Sequence, residues 1–280
     1  MLAQAIFAGL LASLACGLGA LPLAIPRLDP AKRRGIGYAF AGGLMLAASV
    51  YNLIGPAVYA DGGSWTLSKI APVIVGILVG AAFLSLADRF LGDHEPAPGN
   101  IPGVTPVSAS GKCDRSGGDA HAAWGGRLGL LIFLAMTIHS IPEGVAVGVG
   151  YTADAADKSV GLGPSLALAI GIHNIPEGLA VAIPLRAAGV SITRCALAAI
   201  VTSLPQPLAS GPAVLLAWFF QPLMPALMGF AAGAMIFLIL QELIPEALET
   251  DRPRTIAWAT TIGFCCMLLL QVFIGGAVGE

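Results

Sequence analysis

Eight stretches of this chain are apolar for long enough to cross a lipid bilayer, and no other feature limits its fold so strongly. They run over 2–26, 35–59, 70–92, 128–151, 161–185, 193–219, 222–248 and 255–278. A helix that spans the hydrocarbon needs roughly 20 mostly apolar residues, and inside it the backbone must bond to itself. The expected fold is therefore all-α, a polytopic membrane protein with eight transmembrane helices over 1–280. The composition agrees: 56% of residues are apolar and 11% charged, and the mean hydropathy is +0.84. Soluble domains are typically about a quarter charged. A net charge of −2, with the 14 Lys and Arg dispersed along the chain, excludes the basic footprint of a nucleic-acid binder. The five cysteines form no CxxC pair and no disulfide framework. The apolar stretch from Leu2 to Ile25 has no basic residue before it and is longer than a signal-peptide core, so it reads as a retained first span.

One segment interrupts this pattern. Residues 93–127 are rich in Gly, Pro and Ser and hold no apolar run, so a flexible loop between the third and fourth spans is expected. It carries Asp93, His94, Glu95, Cys113 and His121, which read either as a weak metal-binding cluster or as scattered polar residues of a solvated linker. Basic residues orient the whole. With the N-terminus outside, 12 of the 14 Lys and Arg fall on inner connections, leaving Lys69 and Lys158 outside. Both termini are then outside and the 93–127 loop is cytoplasmic.

Charges deep in a bilayer are costly and mark function. Among the spans, the fourth carries Glu143 and the fifth Glu177, each near the middle and each four residues after a histidine, His139 and His173. The segments read His139-Ser140-Ile141-Pro142-Glu143-Gly144 and His173-Asn174-Ile175-Pro176-Glu177-Gly178. Positions i and i+4 share a helix face, so each span presents an imidazole beside a carboxylate. Consecutive spans run antiparallel, which lets both pairs meet at one depth. Two carboxylates and two neutral imidazoles balance a divalent cation and suit zinc. Polar contacts that merely glue membrane helices are usually made by Ser, Thr or Asn, so a duplicated ionisable pair points to a metal site rather than to structural glue. Pro142 and Pro176 free the carbonyls of Ile138 and Ile172, an expected break of the kind that serves ion sites. The glycine after each Glu allows close backbone approach.

These residues carry a family resemblance. The chain resembles the Zrt-, Irt-like proteins, the ZIP family of divalent metal-ion transporters, and in particular its bacterial members. The likeness covers the whole length and is most specific at His139–Gly144 and His173–Gly178, with support from Gln241-Glu242-Leu243-Ile244-Pro245-Glu246 in the seventh span. It implies a single transmembrane transporter domain that carries zinc, and often Fe2+, Mn2+, Co2+ or Cd2+, toward the cytoplasm across the plasma (inner) membrane. It also implies that spans four and five sit between two inverted three-helix repeats, commonly in a homodimer. The metal ligands it implies are His139, Glu143, His173 and Glu177. Some bacterial relatives hold a second, adjoining ion with acidic residues at the positions of Asn174 and Gln206 and an amide at that of Ser140. All three positions are neutral here, so one ion per chain is expected. Met45 and Asn52 in the second span read either as packing or as the outer path, and Glu242 and Glu246 either as an inner path or as helix-end charges.

Two other classes fit the composition. A membrane-embedded metalloenzyme needs an open metal position and a spare general base, and the chain has no HExxH and no further deep base. A sensor that binds without transporting needs an output domain, for which the short connections leave no room.

Overall fold

The computed structural model describes residues 1–25, 30–59, 67–92, 126–156 and 161–278, all helix and short connection, with no strand among them. Asp93, His94, Glu95, Cys113 and His121 of the expected loop lie outside the described residues. The first span is Leu2–Leu18, followed by a short 3-10 turn over Leu21–Ala24. The second starts as Pro30–Ala48 and passes through a π-turn, Ser49–Ile54, into Gly55–Tyr59. The third is Leu67–Gly92, the fourth Gly126–Ala156, the fifth Leu162–Ala187 and the eighth Pro253–Val278. The seventh runs Met224–Leu238, a π-turn at Ile239–Leu243, then Ile244–Thr250.

One expectation is made specific and one is corrected. The sixth span, 193–219, is interrupted into Ile192–Ser203 and Pro205–Leu215, so that among the described residues seven helices are each long and apolar enough to cross a membrane and the sixth span stands beside them as a broken pair. The reason is local: Pro205 and Pro207 lack the N–H groups that would carry the helix through Leu204. The fourth and fifth helices, by contrast, run unbroken through Pro142 and Pro176. A membrane helix packed among neighbours tolerates the loss of one backbone bond.

The packing follows a two-fold plan. The third span lies along the seventh as the eighth lies along the second; the first packs on the fifth as the sixth packs on the fourth; the second touches the fifth as the seventh touches the fourth. Each relation maps onto its partner when spans one to three are exchanged with six to eight and four with five. Spans one and six are five crossings apart and so run in opposite directions, which makes the repeats inverted. The π-turns of the second and seventh spans occupy equivalent places. Small residues bring the helices together. Gly76 and Gly80 on the third span face the carbonyls of Ala226 and Phe230, while Gly229 and Gly233 on the seventh face those of Val73 and Ile77. Two GxxxG faces thus interlock, the usual route to close approach where no water drives association. Gly43 and Gly263 join the second and eighth spans in the same way. The fourth and fifth spans are the most enclosed, each 67% buried over its apolar window, against 22% for the third and 28% for the eighth, so the outer pairs face lipid and the central pair holds the site.

Candidate metal centre

The glycines of the two motifs decide where the central spans sit. Gly178 lies against the Cys16 carbonyl of the first span, and Gly144 lies against the Gln206 carbonyl of the sixth. Any larger residue would hold the helices apart. With them in contact, His139, Glu143, His173 and Glu177 are sealed at the centre, each 1% exposed or less.

The two His–Glu pairs meet crosswise. His139 Nε2 is 3.1 Å from Glu143 Oε1 on its own helix and 2.9 Å from Glu177 Oε1 on the next. His173 Nδ1 is 3.3 Å from Glu143 Oε1, and its Nε2 is 3.2 Å from Glu177 Oε1. The imidazoles stand edge to face with centroids 6.3 Å apart. Within this knot the hydrogen bonding is incomplete. His139 bonds Glu143 and, through Nδ1, approaches the Met136 carbonyl at 3.1 Å, but both nitrogens of His173 and Oε1 of Glu177 make no hydrogen bond at all. These atoms stand close to one another without hydrogen-bond alignment, so the cluster holds unsatisfied donor and acceptor capacity. Donor atoms about 2.0–2.1 Å from a tetrahedral zinc stand about 3.3 Å apart, close to the observed separations. The donor atoms of His139, Glu143 and Glu177 all lie within 4.8 Å of one another, and His173 stands beside them with Nδ1 toward Glu143 and Nε2 toward Glu177, either of which is open to an ion. Orphaned buried polar atoms are expensive, and two buried carboxylates more so. A divalent cation satisfies both needs.

The other sequence-derived candidates divide. Asn174 and Gln206, both fully buried, come together beside Glu143, with Gln206 Nε2 donating to Glu143 Oε2. Ser140 turns away and donates to the Met136 carbonyl at 2.7 Å. Met45 is buried in the second span, where Ser49 Oγ donates to its carbonyl at 2.9 Å. Asn52 lies in the π-turn, and its buried Nδ2 has no partner. Glu242 lines a cleft with Leu84, Asp88 and Gln241, in which Gln241 Nε2 donates to Asp88 Oδ2 at 2.7 Å. Glu246 pairs with Arg34 at 3.5 Å, a half-buried contact near the helix end. Sequence reasoning missed the Ala12 carbonyl, which accepts from Asn174 Nδ2 at 2.8 Å and ties the first span to the site. A main-chain acceptor leaves no trace in residue identity.

A helical membrane protein folded as two inverted repeats around a sealed, metal-shaped His/Glu cluster belongs to the class of metal-ion transport proteins. Comparison with known proteins makes this specific: the family model described as the ZIP zinc transporter matches residues 1–271, and the chain belongs to the ZIP family, whose members are transporters and not enzymes. It is 33% identical over 274 residues to the zinc transporter GufA of Myxococcus xanthus, covering 96% of this chain and 98% of that protein. Against zinc transporter ZIP11 of Homo sapiens it is 33% identical over 305 residues, covering 84% of this chain and 87% of that one. A longer protein of Arabidopsis thaliana is 37% identical over 257 residues, and there the chain spans 36% of the relative's length.

Proposed function

We infer that this chain carries zinc across the plasma (inner) membrane toward the cytoplasm, with His139, Glu143, His173 and Glu177 as the ligands that hold the ion midway. What supports this reading is the gathering of those four buried side chains, the donor atoms of His139, Glu143 and Glu177 within 4.8 Å of one another, with both His173 nitrogens and Glu177 Oε1 lacking any hydrogen bond. Two carboxylates neutralise one divalent ion in surroundings where an unbalanced charge is costly. Imidazole and carboxylate accept Fe2+, Mn2+, Co2+ and Cd2+ by the same chemistry, so these are alternative cargoes. The reading extends to a homodimer with both termini outside and the 93–127 loop cytoplasmic. The ion passes Met45 and Asn52 on the outer side, where the unpartnered Asn52 Nδ2 sits in a π-turn, and Glu242 on the inner side, in a second π-turn; such turns are frequent at functional sites. Glu246, paired with Arg34, stands at the rim of that path.

The test is zinc flux into sealed proteoliposomes containing the full chain. Losing an outer partner of a metal ligand already costs about 10–100-fold, so alanine at any one of the four positions should lower flux by more than about tenfold. Undiminished flux in the Glu143→Ala, Glu177→Ala double variant would overturn the assignment.

A further inference from the structure

The break in the sixth span leaves carbonyls without helical partners. Leu204 keeps helical angles, φ −58° and ψ −26°, so the chain stays in helical conformation there and what is lost is hydrogen bonding. A proline cannot donate to the carbonyl four residues before it, so Pro205 releases Val201 and Pro207 releases Ser203. The Leu204 N–H takes up the Val201 carbonyl at 3.3 Å. The Ser203 carbonyl is taken up from another helix: Ser13 Oγ of the first span donates to it at 2.6 Å. The same hydroxyl lies 3.0 Å from the Gly9 carbonyl on its own helix, but it has one proton, and the shorter contact is the one to Ser203. Ser13 is 0% and Ser203 1% exposed, so the carbonyl has no bulk water to turn to instead.

The two-fold plan supplies an internal control. It sets Ser13-Leu14-Ala15-Cys16-Gly17 on Ser203-Leu204-Pro205-Gln206-Pro207, with the Cys16 carbonyl against Gly178 as the Gln206 carbonyl is against Gly144. Packing symmetry alone would give both serines the same bond, yet Ser203 Oγ, buried as deeply, has no partner. The difference is that Gly17 stands where the sixth span has Pro207. The first span is unbroken from Leu2 to Leu18 and has no spare carbonyl to offer. Ser13 is thus matched to the missing N–H rather than to the symmetry of the fold. We propose that Ser13 is a positioning residue for the ion site: its hydroxyl takes the place of the N–H that Pro207 lacks and so fixes the sixth span where it lies against the fourth, beside Glu143. This rests on the reading of Glu143 as an ion ligand. The link is short. Gln206, next to Pro207, touches the fourth span twice, through its carbonyl at Gly144 and its amide at Glu143 Oε2. Ala12, next to Ser13, accepts from Asn174 of the fifth span at 2.8 Å. One turn of the first span therefore holds the sixth span through a side chain and the fifth through a carbonyl.

The experiment uses the purified full chain in detergent, with the melting temperature of the metal-free protein and the equilibrium affinity for Zn2+ as readouts. Ser13→Ala orphans the Ser203 carbonyl. It should lower the melting temperature by at least about 2 °C and raise Kd about 2–30-fold. Pro207→Ala restores an N–H four residues on from Ser203, so that carbonyl no longer depends on the first span. In the Pro207→Ala background, Ser13→Ala should therefore cost little by either measure. Where Ser13→Ala alone is too unstable to purify, the Ser13→Ala, Pro207→Ala protein should fold. Equal losses from Ser13→Ala in both backgrounds, an unchanged Kd in Ser13→Ala, or a double variant that misfolds as the single one does would each overturn the proposal. The unchanged Kd is the outcome a merely structural role gives. The ligand assignment fails separately, if a Glu143→Ala, Glu177→Ala double variant binds Zn2+ as tightly as the parent.

Discussion

At the scale of single residues, His173 is the informative one. A buried histidine whose two nitrogens lie 3.2 and 3.3 Å from carboxylate oxygens, yet bond to neither, is not serving as helix glue. An unsatisfied buried imidazole beside two carboxylates fits the proposed role of metal ligand. Protons and metal compete for the same lone pairs, since zinc needs carboxylates ionised and imidazoles neutral. Binding should therefore weaken as pH falls. More than one ligand must be cleared of protons per ion, so log Kd plotted against pH should be steeper than a single proton per ion. Equilibrium zinc binding between about pH 7 and 4, which spans the ordinary histidine and carboxylate ranges, measures this. A constant affinity across that range would exclude these ligands.

At the scale of elements, the protein depends on helices touching backbone to backbone. A Cβ on Gly178 would meet the Cys16 carbonyl carbon at 2.7 Å, and one on Gly144 would meet Gln206 Cα at 2.8 Å. Main chain cannot swing aside, so Gly178→Ala and Gly144→Ala should each cost about 1–3 kcal/mol, the usual penalty of overpacking. Gly171→Ala supplies the contrast. Its Cβ would meet Ala12 Cα at 3.5 Å, an ordinary contact, and alanine gains up to about 1 kcal/mol of helix propensity. Thermal unfolding in detergent should rank Gly171→Ala at or above the parent and the other two below it. A normal melting temperature for Gly178→Ala would show that the first and fifth spans are not in the contact described.

At the scale of the whole molecule, the two-fold plan puts the deepest burial on spans four and five and leaves spans three and eight toward lipid. Such a body has two equivalent sides, and the distribution of basic residues selects which faces the cytoplasm. The 12-to-2 division predicts that residue 110 is internal and the connection 152–160 external. On a background without native cysteines, Ser110→Cys should react with an impermeant thiol reagent only after the cells are opened, whereas a cysteine at Lys158 should react in intact cells. The reverse pattern would invert the topology and, with it, the side from which zinc is taken up.

Much of this was legible in the chain. Span count rests on apolar length, and the pairing of each histidine with a glutamate four residues on rests on helical periodicity; both are local properties that no distant contact can undo. The interruption at Leu204 was half visible, since Pro205 and Pro207 mark the place but do not say whether neighbouring helices will carry the backbone through, as they do at Pro142 and Pro176. The crossing of His139 to Glu177, the interlocking of Gly76 and Gly80 with Gly229 and Gly233, and the amide chain from Gln206 through Asn174 to Ala12 had no local signal. They join residues separated by tens to hundreds of positions, and which faces meet depends on how eight helices share one volume. The chain by itself determined which groups are buried and on which helix face. Only the packed structure decided that Glu143 turns Oε1 toward the two histidines and Oε2 toward Gln206, because that choice is set by the helices that come to lie on its two sides.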